Sequence, residues 1–303
     1  MNTASDPMTD LPKPTRRRHP NRPPGWLAYA QIAPLTLVLT LFLVLPLIMV
    51  LIVSFFDYDS FRIIPDFVWT NYQEMLFSTT TWRTLWSTIR FALYVLAITA
   101  VLGFLVAYYV AFYVRRPGVK TVFFLACAIP FLTSNIIRMI SWVPYLGRNG
   151  LLNDALVSAG IIDTPLDMLL YSPFAVILVY VYLYTLFMVT PLFNSMMRID
   201  KSLIEAATDA GAKPWQIMMF VVLPLCRSGF AIGAVFIITL VMSDYITVRL
   251  MSGGQSASTG LLISNQISLL QYPAACANAI LLLVVVMSAI GAMLRNVDIR
   301  RSL

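Results

Sequence analysis

Six apolar runs set the terms for this chain, at about residues 28–56, 84–114, 121–143, 173–193, 228–249 and 273–294. Roughly 20 apolar residues suffice to cross the hydrocarbon core of a bilayer as a helix, and each run is long enough to do so. The expected fold is therefore all-α: a polytopic membrane protein with about six transmembrane helices. Composition agrees, because 59% of the 303 residues are hydrophobic and only 12% are charged, whereas about a quarter of an ordinary soluble domain is charged. The first run is far longer than the roughly 7–15 residues of a signal-peptide core, and no A-x-A site closes it, so it reads as a retained span. Ahead of it, residues 1–26 include "KPTRRRHPNRPPG" and read as a disordered basic leader. With no repeat of obvious period, residues 27–303 read as one membrane domain.

Orientation follows from charge. Assigning alternate loops to opposite sides gathers 15 of the 21 basic residues on one side: Lys13, Arg16, Arg17, Arg18, Arg22, Arg115, Arg116, Lys120, Arg198, Lys201, Lys213, Arg227, Arg295, Arg300 and Arg301. The positive-inside bias makes that side cytoplasmic, with both termini inside and residues 194–227 forming a cytoplasmic loop. Most of the net charge of +7 is thus topological, and no nucleic-acid partner is needed to explain it.

Several kinds of chemistry are excluded. Cys127, Cys226 and Cys276 lie in or beside apolar runs without CxxC spacing, and read as packing residues. His19, the one histidine, lies in the leader. No G-x-x-x-x-G-K-[ST] phosphate loop occurs, the acidic residues are dispersed, and no nucleophile constellation is present. The chain reads as a non-enzyme without a metal or a cofactor of its own. Pro34, Pro46, Pro130 and Pro191 fall within or at the ends of spans. They suit either a broken translocation path or ordinary span geometry.

The loop at 194–227 is patterned beyond what a connection requires. In "EAATDAGAKPWQIMMFVVLP", residues 205–224, Ser202 and Glu205 have the spacing of a capping box, so a short helix is expected to begin near Ser202. Gly211 is placed to end that helix in a left-handed conformation, and Pro214 to open the next. Two short helices with a fixed bend should result. The small side chains of Ala206, Ala207, Ala210 and Ala212 leave room for another protein's surface.

Glu205, Ala206, Ala207, three residues, Gly211, nine residues and then Val221, Val222, Leu223 and Pro224 resemble the EAA signature of ABC importer permeases, the membrane subunits of binding-protein-dependent transporters. Valine at 221 replaces the family's usual isoleucine. The resemblance implies a type I importer architecture in the bacterial inner membrane, with this loop as the coupling helix seated in an ATPase subunit. It implies separate ABC ATPase subunits that bind ATP and Mg, a second permease subunit, a periplasmic solute-binding protein and surrounding membrane lipid as partners. Within the family, the segments at 129–156, 161–192 and "SDYITVRLMSGG" at 243–254 resemble the first permease of spermidine/putrescine-type importers. Two of that group's usual prolines are replaced, by Val248 and Leu186. Relatives with this signature also move opines and other small organic solutes.

A cationic cargo has one candidate anionic partner. Asp244 lies about 17 residues beyond Arg227, roughly 25 Å along a helix at 1.5 Å per residue, and a carboxylate within a span is a functional candidate. Tyr245 beside it would add an aromatic face for an ammonium group. An ion pair with Arg138 or Arg249, or solvation at the interface, is the alternative fate of Asp244. Asn135 and Arg138 are further pathway candidates, and Ser134, Asn278 and Ser288 suit either a pathway or helix packing. Tyr180, Tyr182 and Tyr184 cannot all share one face of a helix, and no site is assigned to them. An ion-coupled secondary transporter is the competing reading at this stage.

Overall fold

The computed structural model describes residues 25–59, 62–114 and 116–295. Almost all of the expected leader, with His19, lies outside them. The described chain is helical apart from one hairpin, and it divides into two units, Met1–Met49 and Val50–Leu303. In the first unit, α1 (Gly25–Leu39) continues through a π turn (Thr40–Val44) into the start of α2 (Leu45–Val53). Pro46 lies two residues past that turn, and the wider turn accommodates a residue that cannot donate a backbone hydrogen bond.

The second unit opens with the last residues of α2 and then leaves the span. Strands β1 (Phe56–Asp59) and β2 (Arg62–Phe67) pair antiparallel, with Asp57 opposite Ile64. Buried Asn71, in α3 (Thr70–Phe77), ties this hairpin down by donating to the carbonyls of Ser54 (3.1 Å) and Phe56 (2.7 Å). Then follow α4 (Thr79–Tyr108), α5 (Pro117–Leu132), α6 (Asn135–Ile140), α7 (Trp142–Leu146), α8 (Leu151–Ser158) and α9 (Pro173–Met197). After the loop helices α10 (Lys201–Asp209), α11 (Pro214–Ile217) and α12 (Leu223–Leu225) come α13 (Arg227–Ser243), α14 (Ile246–Met251), α15 (Thr259–Ser268) and α16 (Tyr272–Arg295). Helix α8 lies within "GLLNDALVSAG", residues 150–160. Fully buried Asn153 fixes it through the carbonyls of Gly147 and Leu166 and the Leu166 N–H.

Among the described residues, four helices are long and apolar enough to span alone: Tyr29–Val53, Thr79–Tyr113, Pro173–Met197 and Tyr272–Arg295. A fifth candidate is a pair, Pro214–Leu225 and Arg227–Ser243, bent by 68°. Two expected spans are thus interrupted. The third run, 121–143, breaks where Thr133 and Ser134 take extended conformations between α5 and α6. Thr-Ser-Asn is a run of short polar side chains that favour turns and caps over helix interiors. The fifth, 228–249, ends at Ser243, because Asp244 turns its side chain to the start of α14.

The core forms where α9 lies against α4 and α13. Lipid tails are as apolar as leucine, so helices in a bilayer gain little by hiding apolar surface and depend on close packing instead. Glycines provide it. A Cβ on Gly103 of α4 would stand 2.7 Å from Met188 Cγ, and one on Gly233 of α13 would stand 2.5 Å from Met188 Sδ, so this fully buried methionine is clasped from both sides. One turn away, a Cβ on Gly229 would meet the Pro191 carbonyl at 2.8 Å. Thr99, Thr185 and Thr239 return their hydroxyls to carbonyls four residues earlier, which removes free donors from the apolar surroundings. Cys127 and Cys226 are buried and all three cysteines are free thiols.

Candidate functional site

The residues singled out by sequence fall into two groups, one ahead of α13 and one at its far end. Ahead of it, the bent segment forms as expected except at its first residue. Helix α10 begins at Lys201, and its cap is Asp200, whose Oδ1 accepts the Ser202 N–H at 3.0 Å. The expected Ser202–Glu205 box is not what starts this helix. A carboxylate two residues earlier reaches the free amide and also complements the positive helix end. Glu205 is left exposed.

The other end of α10 closes in a Schellman motif. The Gly211 N–H donates to the Thr208 carbonyl (2.9 Å) and the Ala212 N–H to the Ala207 carbonyl (3.0 Å), with Gly211 at φ +82°. Nothing lies within 4 Å of where a Gly211 Cβ would be. The glycine is required by its backbone angle and not by crowding. Pro214 opens α11, while Gln216 Oε1 accepts the Lys213 N–H at 2.7 Å. Ile204, Ala207 and Ala212 pack on the core, whereas Glu205, Ala206 and Asp209 face out. Trp215 (55% exposed) and Phe220 (71%) add an apolar surface to the segment, with ring centroids 6.3 Å apart. A π turn, Met218–Val222, then precedes Pro224, and the chain bends at Cys226 into α13.

At the far end of α13, Asp244 joins three elements. Its Oδ1 accepts the N–H groups of Ile246 (2.8 Å) and Thr247 (3.2 Å), and its Oδ2 accepts the hydroxyls of Tyr184 (2.9 Å) and Thr247 (2.5 Å). The Asp244 carbonyl accepts the Tyr180 hydroxyl at 3.0 Å. A carboxylate offers about four acceptor positions, so these four donors fill it. Met139 Sδ of α6 lies 2.8 Å from the Thr247 hydroxyl oxygen, which places α6 against α14.

The aromatic partners of Asp244 are Tyr180 and Tyr184, at 1% and 4% exposure and stacked at 5.7 Å. Tyr245 is 37% exposed and stands beside Gly260. No ion pair within 4 Å joins Asp244 to Arg138 or Arg249 among the described residues. Arg138 instead donates to Asn135 Oδ1 within α6, and its buried Nε has no partner. The alternation of three tyrosines hides Tyr180 and Tyr184 in the sequence. The signal was their spacing of four, which puts those two on one helix face and leaves Tyr182 to pack on Trp142. Asn278 bonds α16 to Gln266 of α15, and Ser288 returns to its own helix at the Val284 carbonyl, so both serve packing.

A bundle of broken spans, with an exposed bent helix pair feeding one of them, defines a transport permease. Residues 99–298 match the family described as binding-protein-dependent transport system inner membrane component. The chain belongs to that family, the inner-membrane permeases of ABC importers, which decides against the ion-coupled alternative. It is 30% identical over 249 residues to the spermidine/putrescine transport system permease protein PotB of Escherichia coli K12, covering 82% of this chain and 89% of that protein. It is 27% identical over 235 residues to the osmoprotective compounds uptake permease protein GgtC of Synechocystis, covering 75% and 82%. A bacterial alginate ABC transporter, solved in complex with an alginate pentasaccharide-bound periplasmic protein, has a chain sharing the fold at TM-score 0.71 and 19% identity. That match covers 88% of this chain and 92% of its own.

Proposed function

We propose that this chain forms part of the translocation pathway of an importer for a small organic cation of the polyamine class. Separate ABC ATPase subunits, holding ATP and Mg, grip the segment Lys201–Leu225 on the cytoplasmic side, where both termini also lie. Glu205, Ala206 and Gly211 form the contact, Ala207 is turned inward behind them and not available to it, and Leu223 and Pro224 pass the movement to α13. A second permease subunit completes the path, and a periplasmic solute-binding protein delivers the cargo. What carries this reading is the rigid, exposed α10–α11 bend, anchored on one face by Ile204 and Ala207. The 30% identity to a spermidine/putrescine permease supports the class of cargo.

Helix α13 acts as the lever. Its 17 residues reach roughly 25 Å at 1.5 Å per residue, from the driven bend to Asp244. Because the carboxylate is already filled with donors, a passing ammonium group must displace one. The Tyr184 and Thr247 hydroxyls are the donors that leave without unwinding α14, and the Tyr184 hydroxyl is the one carried on another helix. Movement of α13 against α9 therefore exposes the charge to the cation in one state and covers it in the other.

The test is reconstitution with ATPase and binding-protein partners, comparing uptake of radiolabelled putrescine and spermidine with opines and amino acids. Uptake of polyamines that is lost in Gly211→Leu, with normal membrane insertion, is the expected result. Polyamine uptake that needs no ATPase overturns the coupling role, and uptake confined to other solutes overturns the cargo. An opine or osmoprotective solute is the second reading, favoured by the similarity to GgtC and by Val248 and Leu186 in place of the polyamine group's prolines.

A further inference from the structure

A cavity of about 560 Å³ opens where α4, α9, α13 and α16 meet the α12 turn. That volume lies within the ~300–1,000 Å³ usual for small-ligand sites. Leu96, Phe230, Ala234 and Met293 contribute apolar walls and Pro224 borders one end. Among the described residues that line it, Arg227 is the one charged side chain. Arg227 is exposed, and no described acidic group stands within 4 Å of it.

This combination selects its occupant. Apolar walls inside membrane-spanning helices offer a long hydrocarbon chain a place to lie, and a lone guanidinium at the loop end offers an acidic head a partner. Basic pockets between transmembrane helices hold anionic headgroups by this logic. A cationic cargo is excluded on the same grounds, since Arg227 repels it and the walls present almost no acceptors. We propose that the cavity binds one acyl chain of an acidic phospholipid drawn from the surrounding bilayer, with its net-negative headgroup on Arg227, a charge that the zwitterionic phosphatidylcholine headgroup lacks. Pro224 and Arg227 stand on opposite sides of the 68° bend, so a lipid bridging them senses its angle.

The experiment uses the full chain, purified in the assembly it forms when expressed and placed in nanodiscs. Phosphatidylglycerol and phosphatidylcholine probes carry the same diazirine-bearing acyl chain. Irradiation should label peptides containing Leu96, Phe230 and Met293, with phosphatidylglycerol favoured about fivefold, the worth of one basic side chain near a membrane surface. Arg227→Gln should remove the preference, Arg227→Lys should keep it, and Ala100→Trp should block both probes by filling the cavity. Labelling of residues 35–51 in the first span serves as the incorporation control. Equal labelling by both lipids, or no labelling of the cavity peptides, overturns the proposal. So does competition by inorganic phosphate, which would make the ligand a free anion. If Arg227→Gln melts early, the lipid comparison on the unsubstituted chain and the Ala100→Trp block still decide.

Discussion

Gly211 and Gly229 are the same residue kept for opposite reasons. Gly211 lies in open space at φ +82°, so it is held by backbone geometry alone, while Gly229 has an ordinary φ and is held by the Pro191 carbonyl pressed against it. The first sits in an exposed segment, the second in an interface where the α13 backbone meets the Pro191 carbonyl and the Ser195 side chain of α9. One region keeps its shape through hydrogen bonds that need no neighbour, and the other through neighbours that leave no space.

Substitution should separate the two regions. Gly229→Leu is expected to do most damage, because its side chain has a backbone carbonyl in its way; overpacking of this kind costs about 1–3 kcal/mol or more. Thermal melting in detergent should show it, whereas Gly233→Ala should cost less, since it presses on a flexible methionine thioether. Asp244→Asn should follow: hydrogen bonds to a charged group contribute about 1.5–3 kcal/mol, and polyamine uptake should fall further than melting temperature. Unchanged uptake would take Asp244 out of the pathway.

Gly211→Leu comes next, at about 1–2 kcal/mol for forcing a left-handed side chain, with space to receive it. It should leave assembly intact and abolish ATP-driven uptake, and equal losses in both would erase the contrast with Gly229. Smallest is Asp200→Ala, which removes a cap worth about 1 kcal/mol. It should fray α10, measured as faster amide exchange at Ser202 and Leu203, without disturbing α13.

Much of this was legible because punctuation residues have local meanings. Gly211 and Pro214 announce the bend whatever surrounds them, and apolar run lengths announce spans. The breaks were harder to read. Thr133–Ser134 and Asp244–Tyr245 interrupt runs that hydropathy averages over, and only the donors around Asp244 reveal that its carboxylate caps α14. Tyr184 as its partner depends on how α9 and α13 dock, 60 residues apart in sequence. Asp200 was passed over because Ser202 offered a recognisable pattern nearer the motif.

The π turn at Met218–Val222 makes residue count here a structural variable. Such a turn is an α-helix carrying one surplus residue, and each residue of an α-helix advances the chain by about 100°. The wider turn absorbs that residue, so deleting one between 218 and 222 would restore regular pitch and leave Trp215 and α10 facing as they do, whereas deleting one from the regular helix beyond would swing them by about 100°. Length changes at this spot are therefore taken up by the turn, while the same change a few residues along re-aims the exposed face without altering a single side chain on it.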